Sequence, residues 1–340
     1  MANQRDLNLD SARGLAAILI FFYHFGLFGI TESFWIYVNF FFVLSGFVLY
    51  EQIILVKNNS KLSLFIKARA MRIFPLFIFI FFIRIILDII NRTVSGLPVN
   101  SFIELFNLKY ISIAFALLQN FSQKSTQIFF PAWSLSTEWL TYLIISIGFY
   151  VLRNKIIPLV ILYGSLMLFI GFKIDIIYIN QFGFNYGVGA IGQGILGFGI
   201  GMSIKKNTKI LNKFTIKYPI SIIIAINVLL NILVYKVKSD SYLILLANII
   251  FAVTLILITK LDLNQKMIGI KRSMGQLSYG IYLWHTVIIS VYSNLFPLIE
   301  RVTLFFICSI TTFVCASLTF MIVEKPFLSL SRKYSTKLKL

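Results

Sequence analysis

Runs of about twenty apolar residues recur along this chain, and they restrict its fold more than any other feature. A helix of that length crosses the hydrocarbon core of a bilayer, where a helix pairs all of its backbone N–H and C=O groups internally. Ten candidate spans fall at approximately 12–30, 34–56, 73–91, 132–152, 157–174, 187–204, 218–236, 241–259, 274–296 and 302–323. Hydrophobic residues make up 59% of the 340 and charged residues only 13%, whereas a soluble domain is nearer half apolar and a quarter charged. The expected fold is all-α: a polytopic membrane helical bundle of about ten transmembrane helices. One domain takes in 1–330, followed by a basic tail at 331–340. No cleavage-site pattern ends the first run, so it reads as a retained helix.

The net charge of +19 raises the question of nucleic acid. Its distribution answers no, because the basic residues gather in the connections between apolar runs and no nucleic-acid-binding motif accompanies them. With the N-terminus inside, the inner connections and termini hold 23 Lys and Arg, the outer connections seven, and Arg84 lies within a span. By the positive-inside rule both termini are cytoplasmic. The longest connection, Asn91–Pro131, includes an apolar part at Ile111–Leu118 that is too short to span. It is expected at the interface or folded over the mouth of the bundle. Cys308 and Cys315 lie seven apart in the last run and read as packing residues, with no metal or disulfide site.

Polar residues inside apolar runs mark where chemistry can occur, because an ionisable group in lipid is costly and turns toward protein or water. His24 and His285 are the two histidines of the chain, and both sit in such runs. Arg13 and His24 are eleven positions apart, roughly 16 Å along one helix and about 20° around it. They line one wall, Arg13 at the inner mouth and His24 beyond the midplane. Arg13 is either an anchor or a functional group, and His24 either a packed histidine or a catalytic one. Ser45-Gly46 in the second span allows close helix approach. Arg69 and Arg72 share a helix face and can grip a phosphate, or simply anchor the helix. Trp133-Ser134-Leu135-Ser136-Thr137-Glu138 opens the fourth span and brings Glu138 to about the depth of His24, so the two are expected to form a general-base pair. Arg84 and Asp88, four apart, read as an intrahelical pair. Seven glycines between Gly187 and Gly201 make a small-faced helix, for tight packing or for a groove holding a lipid-like ligand. Ser278, Tyr282 and His285 form a polar stripe on one helix face.

These motifs occur in an order that resembles the acyltransferase-3 family: Leu9-Asp10 with Arg13-Gly14 and His24; Phe41-Phe42-Val43-Leu44-Ser45-Gly46-Phe47; Arg69, Arg72 and Pro75; Trp133 to Glu138; Ser278-Tyr279 with Tyr282-Leu283 and His285; and Glu324-Lys325-Pro326-Phe327. The resemblance extends from Leu9 to Phe327. It implies ten membrane helices in a bacterial inner membrane and transfer of an acyl group, commonly acetyl from cytoplasmic acetyl-CoA, to a hydroxyl of surface or exported carbohydrate. It also implies His24 as the essential catalytic residue with Arg13 as companion, Arg69 and Arg72 near the donor, and Glu138 in the central cavity. Asn39, Ser45, Trp133, Ser136, Tyr282 and His285 are the remaining candidates, for substrate binding. Asn39 stands where many members carry an acidic residue. Some members have an added hydrolase-like domain, for which this chain ends too soon; separate polysaccharide-assembly proteins are then candidate partners. No metal is implied. The rival readings are another acyl donor, such as succinyl-CoA, and a transporter of polysaccharide or lipid-linked sugar.

Overall fold

The computed structural model describes residues 7–26, 29–94, 96, 107–178, 187–211, 213–237, 241–262 and 267–340, and among these it is helical with no strand. Helices α1 (Leu7–Phe25), α2 (Val38–Ile53) and α3 (Asn59–Val94) come first, with a 3-10 segment at Gly29–Tyr37 between α1 and α2. The short helices α4 (Leu108–Phe115) and α5 (Gln123–Ile128) follow. Next are α6 (Ala132–Leu152), α7 (Ile156–Tyr178), α8 (Val188–Lys206), α9 (Pro219–Val237), α10 (Ser241–Thr259) and α11 (Ile268–Leu295). The chain ends in α12 (Arg301–Thr319), a π turn (Phe320–Glu324) and α13 (Lys325–Lys339). Each of the ten apolar runs falls on a helix. Among the described residues seven stretches are long and apolar enough to cross a membrane: Thr31–Ile53, Asn59–Val94, Ala132–Leu152, Val188–Lys206, Pro219–Val237, Ser241–Thr259 and Arg301–Lys339. This is an all-α membrane bundle.

The expected first span ran to residue 30, but α1 stops at Phe25. Gly26 takes a positive φ of 63°, a conformation that ends helices at little steric cost in glycine. Arg301, from the start of α12, donates to the carbonyls of Phe25 (3.2 Å) and Gly26. A guanidinium on these carbonyls satisfies groups that a helix end leaves unpaired. His24 thus stands on a capped, fixed helix end.

Close helix approach is built from glycine. A Cβ on Gly46 of α2 would lie 2.0 Å from the Phe198 carbonyl oxygen of α8, and one on Gly201 would lie 2.0 Å from the Val43 carbonyl oxygen. The small face of α8 is therefore filled by the backbone and side chains of neighbouring helices, so the glycine run serves packing rather than a groove for a lipid-like ligand. The α1–α11 crossing works the same way, through Gly14 against Met274 and Gly275 against Asp10.

Two apolar clusters form the core. One joins α1, α3, α6 and α11 through residues such as Phe21, Phe77, Ile145 and Leu283. The other joins α2, α8, α9 and α10 through Phe40, Leu196, Leu230 and Phe251. The connection after α3 is described from residue 107 onward. There Asn107 caps α4, accepting from the Lys109 N–H at 3.0 Å, and Leu117 and Ala114 are fully buried in the core. Arg84 and Asp88 make the intrahelical pair read from their spacing.

The stretch 331–340, expected as a basic tail, belongs to α13. Ser331 Oγ donates to the Ala68 carbonyl at 2.7 Å and Leu338 is fully buried, so α13 lies along α3.

Candidate active site

His24 is partly exposed and stands among rings. Its imidazole lies 5.0 Å from that of His285, 5.7 Å from Phe130 and 4.7 Å from Tyr23, centroid to centroid. His285 comes from α11, and it is fully buried. Its Nδ1 lies 3.2 Å from the Ile281 carbonyl oxygen, while its Nε2 has no hydrogen-bond partner among the described residues. Tyr282, three residues before it, lies 5.7 Å away ring to ring. The Tyr282 hydroxyl is 2.6 Å from Ser134 Oγ and donates to the Pro131 carbonyl at 3.3 Å. These contacts tie α11 to the start of α6. The polar stripe Ser278–Tyr282–His285 therefore faces protein at two positions beside α1 and α6, and Ser278 bonds back to the Gly275 carbonyl at 3.0 Å.

Glu138 lies one turn further along α6 than Ser134. Its Oε1 accepts from Ser45 Oγ of α2 at 2.8 Å and from the Tyr142 hydroxyl. Among the described residues no hydrogen bond or ion pair joins Glu138 to His24, so the expected general-base pair is not formed. Depth along the membrane normal matched the two, but the face of α6 that carries Glu138 turns toward α2.

Arg69 stands within electrostatic range of Tyr142 and Glu138. It is buried, its Nη2 donates to Gln52 Oε1 at 3.2 Å and to Ser335 Oγ at 3.4 Å, and its guanidinium lies 5.8 Å from the Phe65 ring. Among the described residues its Nε has no partner. Arg72, three residues on, is exposed and lies within electrostatic range of Glu324 and Tyr279. The two guanidiniums lie three residues apart in the first half of α3, yet one is turned into the bundle and the other outward. A buried N–H donor without an acceptor, beside an exposed cation, fits the anionic oxygens of a phosphorylated donor.

The other candidates are placed apart from these groups. Arg13 lies near the opposite end of α1, 3.9 Å from Asp10. Asn39 is fully buried near the start of α2, donating to the Ile36 carbonyl at 3.1 Å, with its Oδ1 unpartnered. Ser136 accepts the Asn120 N–H at 3.4 Å and is buried. Trp133 packs against the core beneath them. Three residues went without a role in the sequence and belong to the constellation: Tyr142, Gln52 and Glu324. Tyr142 had a signal, since it lies four residues from Glu138 on one helix face. Glu324 is buried with Oε1 unpartnered, set by the π turn.

The arrangement thus offers a partly exposed imidazole, an anchored carboxylate and two cations in sequence from one helix cluster. An acyltransferase domain model matches residues 6–321. The chain belongs to the acyltransferase-3 family. As an acyltransferase-3 protein it is a membrane acyltransferase, and the match takes in every residue of the constellation except Glu324 and Ser335. Neither a curated protein nor a solved structure matches it.

Proposed function

We propose that this protein is an O-acetyltransferase of the bacterial inner membrane, with both termini cytoplasmic, moving acetyl from cytoplasmic acetyl-CoA to a hydroxyl of surface or exported carbohydrate. The acceptor class spans O-antigen, capsule, exopolysaccharide and lipid-linked sugar. The observation that carries the reading is His24: a partly exposed imidazole held on a capped helix end, in a chain of acyltransferase lineage. An ionisable ring on a membrane helix turns toward protein or a wet cavity, so a partly exposed imidazole at this position marks a surface that a reactant reaches.

A bound acetyl thioester supplies the activated acyl carbon. Arg69, through its unpaired Nε, and the exposed Arg72 hold the donor's phosphates. Glu138, with Ser45 and Tyr142 bonded to it, stands within electrostatic range of Arg69 and fixes α2 against α6. His24 takes the proton of the acceptor hydroxyl as that oxygen attacks, and returns it to the departing sulfur. Arg13 belongs to the cytoplasmic mouth on the same helix wall. Asn39, Ser136 and Trp133 support the walls, and Tyr282 holds α11 against α6 on the acceptor side.

Purified protein in proteoliposomes, given acetyl-CoA and base-stripped surface polysaccharide of its host, should release free CoA with time and esterify the polysaccharide. His24→Ala should abolish both while the protein remains inserted and folded. Full activity in that variant would remove His24 from the reaction. Uptake of sugar with no CoA release would favour transport instead.

A further inference from the structure

His285 is fully buried, and its two ring nitrogens are in different situations. Nδ1 lies 3.2 Å from the Ile281 carbonyl oxygen one turn back. A carbonyl oxygen only accepts, so the ring hydrogen sits on Nδ1 and Nε2 carries a lone pair. That lone pair has no donor among the described residues. Buried acceptors without partners are rare in folded proteins and mark a place where something else is to bond.

The rings around it identify the donor. Phe21 presents an edge at 6.4 Å and has no polar hydrogen to give. Tyr282 lies at 5.7 Å, but its hydroxyl is engaged by Ser134 and Pro131. His24 lies at 5.0 Å, tilted by 43°. Two imidazoles joined by an N–H···N bond of about 2.9 Å would have centroids roughly 5 Å apart. The rings already stand at that separation, and a turn of the partly exposed His24 ring closes the bond.

We infer that His285 is a positioning residue for acyl transfer: its Nε2 accepts a hydrogen bond from His24 and so sets which His24 nitrogen carries a lone pair toward the acceptor hydroxyl. This rests on the acyl-transfer reading above. The acceptor hydroxyl gives its proton to that nitrogen while its oxygen pair forms the new C–O bond to the acyl carbon. The C–S bond then breaks with its pair on sulfur, and His24 gives the proton to the thiolate. His285 stays neutral throughout, and its hydrogen bond strengthens while His24 is cationic, as bonds to charged donors do. An imidazole thereby holds the position that a carboxylate takes in hydrolytic triads. Glu138 is committed to Ser45 and Tyr142 and leaves that position open.

The test compares His285→Phe with His285→Gln in full-length protein in proteoliposomes, with acetyl-CoA as donor and base-stripped host polysaccharide as acceptor. Gln carries an oxygen acceptor where Nε2 stood, whereas Phe fills the space with none. The Phe variant should lose roughly tenfold to a hundredfold in kcat, as when a partner that orients a functional imidazole is removed, with KM for acetyl-CoA within about threefold. The Gln variant should recover most of that loss. Equal unfolding temperatures of Gln and wild type make the comparison valid even if the Phe variant folds poorly. The inference is overturned if the Phe variant keeps wild-type kcat, if a folded Gln variant is as slow as Phe, or if the loss appears in KM alone. A folded wild-type protein that releases no CoA removes the acyl-transfer reading itself, and this inference with it.

Discussion

Substituting Gly46 by Ala tests the link between helix packing and the site. The added Cβ would stand 2.0 Å from the Phe198 carbonyl oxygen, 2.7 Å from its carbon and 2.8 Å from its Cα. Ordinary contact begins at 3.4 Å, so α2 and α8 must part by roughly 1.4 Å, because the obstruction is backbone and has no rotamer to adopt. Overpacking of this kind costs about 1–3 kcal/mol. In a chain of this size that lowers the unfolding temperature by about 2–10 °C. Ser45 is the neighbouring residue, and it donates to Glu138 at 2.8 Å. A displacement of even about 1 Å carries that bond beyond hydrogen-bonding reach. Gly46→Ala should therefore unfold earlier in detergent, followed by intrinsic fluorescence, and should also transfer acetyl more slowly. Gly269→Ala is the control, since a Cβ there meets nothing within 4 Å, and it should leave both quantities unchanged. Wild-type stability and activity in Gly46→Ala, or an equal loss in Gly269→Ala, would refute the reasoning.

Glu138→Gln and Tyr142→Phe each remove half of a charged hydrogen bond worth about 1.5–3 kcal/mol. CoA-release assays should show both slowed by at least about tenfold, consistent with that energy, and the double variant should be little worse than either alone. Leu338→Ala leaves a cavity between α13 and α3 and should cost about 2–5 kcal/mol, seen as earlier thermal unfolding. A loosely attached tail would show no change.

The helices were legible because lipid imposes a length and a composition on them, and two spans, 132–152 and 241–259, agree with α6 and α10 at both ends. The longer elements were not. The apolar pattern begins the third span at residue 73, just after Lys67, Arg69 and Arg72, yet α3 starts at Asn59, since helical hydrogen bonding continues in water where lipid no longer requires it. The same holds for α13, although Ser331, Ser335 and Leu338 follow the i, i+4, i+7 spacing of a packed helix face. Within the site, composition singled out His24 and His285, but their adjacency depends on how α1 and α11 are rotated against each other. Depth along the membrane is one coordinate of three. It paired Glu138 with His24, and rotation of α6 gave Glu138 to Ser45 and Tyr142 instead. Tyr142 itself was readable from its four-residue spacing.

Helix α3 has 36 residues, about 54 Å of helix, against roughly 30 Å of hydrocarbon in a bilayer. The twenty residues from Pro75 to Val94 already fill that thickness, at about 1.5 Å each. Arg69 and Arg72 therefore belong to the part of the rod beyond that thickness, braced there by α13 through Ser331 and Ser335. A donor held by these arginines would keep its phosphates beyond the hydrocarbon and send only its uncharged thioester arm further into the bundle. Catalysis across the membrane then involves no transit of charge through lipid. The donor's affinity should follow ionic strength, while access to His24 should follow the thickness of the bilayer.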